Sequence, residues 1–230
     1  MEQRCLGLVG GLGVGATIRY YEELVKAHAQ RGLVPQLLIA HADAPTVLRY
    51  VQDGEFDRLA GYLAAFIDRL AAAGANVAAI GAVTPYCCAA ELSSLSPLPV
   101  VNILQEVADQ VRTRRIRRAA IFGTRFTMET RLFGTLNESE AVKLKLAEFE
   151  YVRETYVQLV EQGSGTDEQY RGLRALAHRL CDREGAEAII LAGTELSLIF
   201  NESNTDFANI DCTRVHINAI MRSLFEGESG

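Results

Sequence analysis

The sequence predicts an α/β protein of two pseudo-symmetric domains, each a short, mainly parallel sheet flanked by helices, with a cleft between them. Three observations carry this. Short apolar runs bounded by Gly, Pro or charge alternate with longer amphipathic stretches, the pattern of strands buried in a parallel sheet between helices. Gly74–Thr84 aligns without a gap on Gly185–Glu195, each segment running from a helix end through an apolar strand to a turn of small residues. Leu6–Gly10 falls beside Ala119–Gly123 at nearly the same offset. A length of 230 residues fits one domain or two. Two matches at nearly one offset favour duplication over chance, and so two domains, expected at 1–98 plus 208–230 and at 99–207.

The elements follow from local pattern. Apolar runs predict strands at Cys5–Val9, Gln36–Ala40, Val77–Gly81, Val100–Asn102, Ala119–Phe122, Val142–Leu146 and Ala188–Leu191. Apolar positions three and four apart predict helices at Ala16–Arg31, Phe56–Ala73, Glu150–Gln162, Asp167–Arg183 and Thr213–Phe225. Gly74 and Gly185 each follow a helix where a left-handed residue is wanted.

Bulk chemistry narrows the function. About half the residues are hydrophobic (49%), enough for one sizeable core or two small ones, and the net charge of −6 argues against nucleic acid or anionic membrane as partner. The one basic run, Arg112–Arg118, is short and leads straight into an apolar strand, as a solvated helix end does. No apolar stretch approaches the ~20 residues needed to span a bilayer, so the expected location is the cytoplasm. Five cysteines, an odd number, fit reduced thiols better than a disulfide framework, and none has C-x-x-C spacing. Four scattered histidines complete the case against a metal site.

Ligands of open parallel sheets bind at the carboxyl ends of strands. Gly10-Gly11-Leu12-Gly13-Val14-Gly15-Ala16 sits between a strand and a helix, where backbone N–H groups and the helix dipole favour an anion. Read as a dinucleotide fingerprint, its third glycine falls on Ala16, so a carboxylate site or a tight turn is the better reading. Gly123-Thr124-Arg125-Phe126-Thr127 occupies the matching turn of the second half. Its hydroxyls suit a carboxylate guest, or Thr127 caps the next helix.

The ordered set Gly10-Gly11-Leu12-Gly13, Ala16-Thr17, Thr84-Pro85, Gly123 to Glu129, Thr194-Glu195-Leu196 and Asp211 to His216 resembles the aspartate/glutamate racemase family over nearly the whole chain. The resemblance implies a pseudo-symmetric, cofactor-independent enzyme, often a homodimer, acting on a small carboxylated substrate. It also implies two cysteines, one per half, that flank the α-carbon of an amino acid, one thiolate removing the proton and the opposite thiol returning one. Substrate contacts are then expected at Gly11, Leu12, Val83, Thr84, Thr124, Arg125, Thr127 and Thr194.

The departures are as informative as the match. The two cysteine positions fall on Ala82 and Gly193, neither of which carries a proton-exchanging side chain. Val83 stands for the usual asparagine and Tyr86 for the usual histidine. Candidate replacements are Tyr86, whose pKa would have to fall far below ~10, Glu195 beside Gly193, and His41, with Asp43 as its carboxylate partner. The bland alternatives are a capping role for Glu195 and an ordinary loop position for His41. Cys87 and Cys88 read as small core residues on the following helix. Three functions remain open: an isomerase with relocated proton transfer, a one-sided lyase, decarboxylase or hydrolase, and a non-catalytic ligand-binding protein.

Overall fold

A computed structural model describes residues 4–137 and 140–225. The elements in chain order are β1 (Leu6–Gly10), α1 (Val14–Ala29), β2 (Leu37–His41), α2 (Ala44–Gln52), α3 (Phe56–Ala72), β3 (Val77–Ile80), α4 (Ala89–Leu95) and α5 (Ile103–Thr113). There follow β4 (Ala119–Phe122), α6 (Arg125–Glu129), α7 (Leu146–Gln162), α8 (Asp167–Glu184), β5 (Ala188–Leu191), β6 (Asn209–Asp211) and α9 (Cys212–Phe225). Single 3₁₀ segments, Thr84–Cys88 and Thr194–Leu198, follow β3 and β5. None of the helices among the described residues is long and apolar enough to cross a membrane.

The chain divides into two compact units, Met1–Ile103 with His216–Gly230, and Leu104–Val215. In the first, β2, β1 and β3 form a parallel sheet with β1 central, Leu6 lying opposite both Leu37 and Val77. Its core gathers Leu6, Leu8, Tyr20, Leu24, Val77, Ala79, Ile217, Ile220 and Leu224. β1 and β3 are short, apolar and fully buried, so burial on both faces, not propensity, holds them in place, whereas β2 at the edge is half-buried to exposed. In the second unit β4, β5 and β6 are parallel with β5 central, Ala119 facing Ala188 and Ile189 facing Asn209. Phe122, Val152, Leu159, Leu173, Leu176, Leu180, Ile189, Leu196 and Phe200 fill its core.

A further position in each sheet reveals the common plan. Val100 makes one parallel bridge to Ala78 beside β3, and Ala141 makes one to Ala119 beside β4. The first unit therefore reads β2, β1, β3, bridge, and the second reads bridge, β4, β5, β6. The first bridge is what remains of the strand expected at Val100–Asn102, while the second, at Ala141, falls one residue ahead of the strand expected at Val142–Leu146, which does not form. Pro99 offers no N–H to extend the one, and the other gives way at Lys145, whose N–H donates to Glu148 Oε2 at 3.0 Å as α7 starts.

The expected division at residues 98 and 208 shifts. Ala78 donates to Pro99 O and accepts from Val101 N, so 99–103 stays with the first unit. β6 completes the second sheet, so 208–215 stays with the second. Gly74 (φ 103°) and Gly185 (φ 66°) do take the left-handed conformation at the ends of α3 and α8.

Candidate functional site

The first unit presents two turns at its strand ends. Gly11 (φ 83°) lets the chain leave β1, and a Cβ there would lie 2.5 Å from Ala42 O and 2.8 Å from the His41 ring, so only glycine fits. Thr17 closes the turn from α1: its hydroxyl accepts from Gly11 N at 2.9 Å and donates to Gly13 O at 2.9 Å. The Gly11 amide expected to hold a carboxylate is thus already bonded inside the turn, and Leu12 beside it is half-buried. His41 is exposed next to this turn. Asp43 is no partner for it by hydrogen bond, because its carboxylate caps α2, accepting from Thr46 N at 2.9 Å and Thr46 Oγ1 at 2.6 Å. Those bonds hold the Asp43 pKa below its ordinary value.

Beyond β3, Ala82 and Val83 are buried and Thr84 half-buried. Tyr86, expected as a candidate base, is buried. It points into the core, its hydroxyl accepting from Ile80 N at 3.1 Å and donating to Val101 O at 2.7 Å. Burial drives its pKa upward, the wrong direction for a proton acceptor. The same carbonyl, Val101 O, accepts from His216 Nε2 at 2.9 Å, while His216 Nδ1 accepts from Tyr20 Oη at 2.7 Å. Tyr20, Tyr86 and His216 thus form a buried polar network, in which desolvation lowers the His216 pKa to about 4 and keeps the ring neutral.

The cysteines are not activated. Cys88 is buried and Cys87 half-buried in the 3₁₀ segment, and burial raises both thiols to about 12, where thiolate is scarce. Among the described residues no cluster of His, Cys, Asp or Glu is arranged to hold a metal ion.

In the second unit, Thr124, not Thr127, is the N-cap of α6: its Oγ1 accepts from Thr127 N at 3.1 Å. Thr127 is fully buried and donates to Thr124 O at 2.9 Å, so this hydroxyl is spent locally. Arg125, expected to meet a substrate, is exposed and instead donates to Glu150 at 2.9 Å and Glu129 at 3.3 Å.

The turn after β5 is the most heavily built. Glu195 is 3% exposed, and its Oε2 accepts from Tyr156 Oη at 2.5 Å and from Thr194 Oγ1 at 3.0 Å. No described Lys, Arg or His forms an ion pair with it. Tyr156, on α7, is 8% exposed; burial first, and then the adjoining carboxylate, push its pKa well above the ordinary value. Its ring stands on Gly193: a Cβ at that glycine would lie 2.1 Å from Cε2. Sequence reading marked Glu195 but missed Tyr156. The tyrosine lies 39 residues away, and its helical spacing with Val152 and Leu159 looks like ordinary core.

A groove of about 870 Å³ lies elsewhere in the first unit. Arg4, Cys5, Gln36, Leu37 and Asn76 line it, at the opposite, amino ends of the strands.

Comparison with known proteins agrees with this architecture. The sequence matches the family model for Asp/Glu/hydantoin racemases over residues 9–220. A candidate Asp/Glu racemase from Yersinia pestis is similar in structure with a TM-score of 0.82 at 24% identity, covering 96% of this chain and 99% of its own. An aspartate racemase homologue from Pyrococcus horikoshii has a TM-score of 0.77 at 21% identity, covering 96% and 99%. Glutamate racemase from Francisella tularensis, solved with D-glutamate, has a TM-score of 0.66 at 16% identity, covering 99% and 83%.

Proposed function

The chain belongs to the Asp/Glu/hydantoin racemase family, and from that premise we propose that it binds a small carboxylated molecule, an amino acid or related acid, without cofactor and without paired-thiol racemisation. One observation carries the second half of this reading. The Tyr156 ring fills the space a side chain at 193 would need, so the absence of sulfur there is matched by its surroundings. Ala82, on the first unit, is methyl-sized and equally unable to take a proton. The glutamate racemase solved with D-glutamate supports the choice of ligand class.

A second reading, one-sided acid/base chemistry, is favoured by Glu195. It is a buried carboxylate beside Gly193, held by the Tyr156 and Thr194 hydroxyls at the end of β5. His41 is the alternative acceptor in the first unit, exposed beside Gly11. Tyr86 is not retained. A cytoplasmic homodimer fits the sequence and family resemblance, and the exposed stripe Val14, Ile18 and Tyr21 on α1 supports self-association.

The test is a thermal-shift series with both enantiomers of aspartate and glutamate and with simple dicarboxylic acids, paired with α-hydrogen exchange in deuterated water. A ligand at a hundred times its Kd stabilises by about 2.7 kcal/mol. Stabilisation by at least one of these acids is expected. No shift with any of them contradicts binding, and exchange lost on alkylation of the cysteines contradicts the loss of thiol chemistry.

A further inference from the structure

The two sheets treat their outer strands differently. β6 ends the second sheet, and its edge is guarded: the strand is three residues long, and Arg114 Nη1 donates to Asn209 O at 2.5 Å. β2 ends the first sheet with five residues, Leu37–His41, that are half-buried to exposed. Among the described residues no strand or side chain bonds to its outer side. From Leu33 to Ala42 the chain also has no Asp, Glu, Lys or Arg, the residues that ordinarily keep a free edge from pairing.

The backbone of this edge is self-complementary. Leu6 N donates to Gln36 O and Ala42 N to Gly10 O, both at 2.9 Å, so the even-numbered residues face β1. Peptide groups alternate along a strand, so Leu37, Ile39 and His41 turn N–H and C=O outward. Pro35, with no N–H, ends that row. Two copies set antiparallel about Ile39 pair Ile39 with the partner's Ile39 and Leu37 with the partner's His41, and every outward group is satisfied.

The helix above extends the contact. A Cβ on Gly10 would lie 2.6 Å from Thr17 of α1 and 3.4 Å from Ile39, so α1 and the Ile39 side chain share one face of the sheet. Beside Thr17 on α1, Val14, Ile18 and Tyr21 form an apolar stripe, all more than half exposed, and Ile39 is 45% exposed. Five residues of edge strand are too few for a stable interface, and the stripe of each copy supplies further area. The neighbouring charges on α1, Arg19, Glu22, Glu23 and Lys26, are of both signs, so no single-sign field opposes an antiparallel copy.

We propose that a second copy of the chain covers this edge, the two β2 strands pairing antiparallel about Ile39 into one six-stranded sheet with both α1 helices on the same face. A closed two-fold pair hides both unguarded edges at once. The inference rests on the self-association reading above, and it adds which surface makes the pair.

Sedimentation velocity of the full chain and of three variants tests it. The unsubstituted protein is expected to sediment as a dimer. Ile39→Lys sets two like charges opposite each other, and Ile39→Pro deletes an outward N–H without touching the bonds to β1. Each is expected to raise the dimer dissociation constant about tenfold or more, with an unchanged far-ultraviolet circular dichroism spectrum showing that it is folded. Ile39→Cys, with Cα atoms about 5.5 Å apart in such a pair, is expected to form with oxidised glutathione a disulfide-linked dimer that the unsubstituted protein does not form. That cross-link decides the assignment even where the lysine or proline variant unfolds. A dimer that gives no cross-link at 39, or one undisturbed by a folded Ile39→Lys variant, overturns the edge assignment and leaves self-association standing. Assembly beyond two copies does the same. A monomer at every concentration overturns self-association and the edge assignment together.

Discussion

The turn after β3 and the turn after β5 occupy equivalent places in two sheets of one plan, yet they have disposed of their polar groups in opposite ways. After β3 the hydroxyl of Tyr86 turns into the core and joins His216 and Tyr20, leaving Ala82 and Val83 as a small, apolar strand end. After β5 a carboxylate remains at the strand end, held by Thr194 and by a tyrosine brought from α7. Two units of one plan thus settle their strand ends by different physics, small apolar residues in one and a glycine beneath a tyrosine ring in the other.

Acid should break the contrast most severely. The His216 pKa of about 4 lies below the ~6.5 of an unfolded histidine, so the unfolded chain binds more protons between those values. The neutral ring's contribution is fully present above about pH 6.5 and is lost as pH falls toward 4, a loss of about 3 kcal/mol. Urea unfolding across that range checks it, and His216→Phe should flatten the profile there.

Steric substitution sharpens the contrast next. Gly193→Cys overpacks against Tyr156 and is expected to cost about 1–3 kcal/mol, whereas Ala82→Cys, where a Cβ already exists, costs less. Combining Gly193→Cys with Tyr156→Ala should recover most of the penalty attributable to the clash, measured as a double-mutant cycle. Additive losses would mean the ring is not in the way.

The smallest effect belongs to Arg125. Its ion pairs with Glu129 and Glu150 are exposed, so Arg125→Ala should change stability by less than about 1 kcal/mol. It should leave affinity for small acids within about twofold; a tenfold loss would show that the guanidinium leaves its carboxylates for a ligand.

Much of the fold was legible because its signals are local. The helix end, strand and turn repeated at 74–84 and 185–195 lie in contiguous sequence, and the αL glycines mark two helix ends. α2 escaped notice although Asp43 and Pro45 are an N-cap and an early-helix proline, because Asp43 also invites reading as a partner for His41. β6 is three residues long, two of them polar, and exists only because β5 is beside it. The site was less legible. Glu195 could be marked from its neighbours, but the inward turn of Tyr86, the pairing of Arg125 and the seat of Tyr156 over Gly193 are tertiary facts with no local signature.

The central claim, that a racemase scaffold here carries no working thiol pair, is most directly tested by following the α-hydrogen of L-aspartate and L-glutamate by NMR in deuterated water, with and without prior alkylation of the cysteines. The account predicts no exchange that alkylation removes. Exchange that disappears when the cysteines are blocked would contradict it.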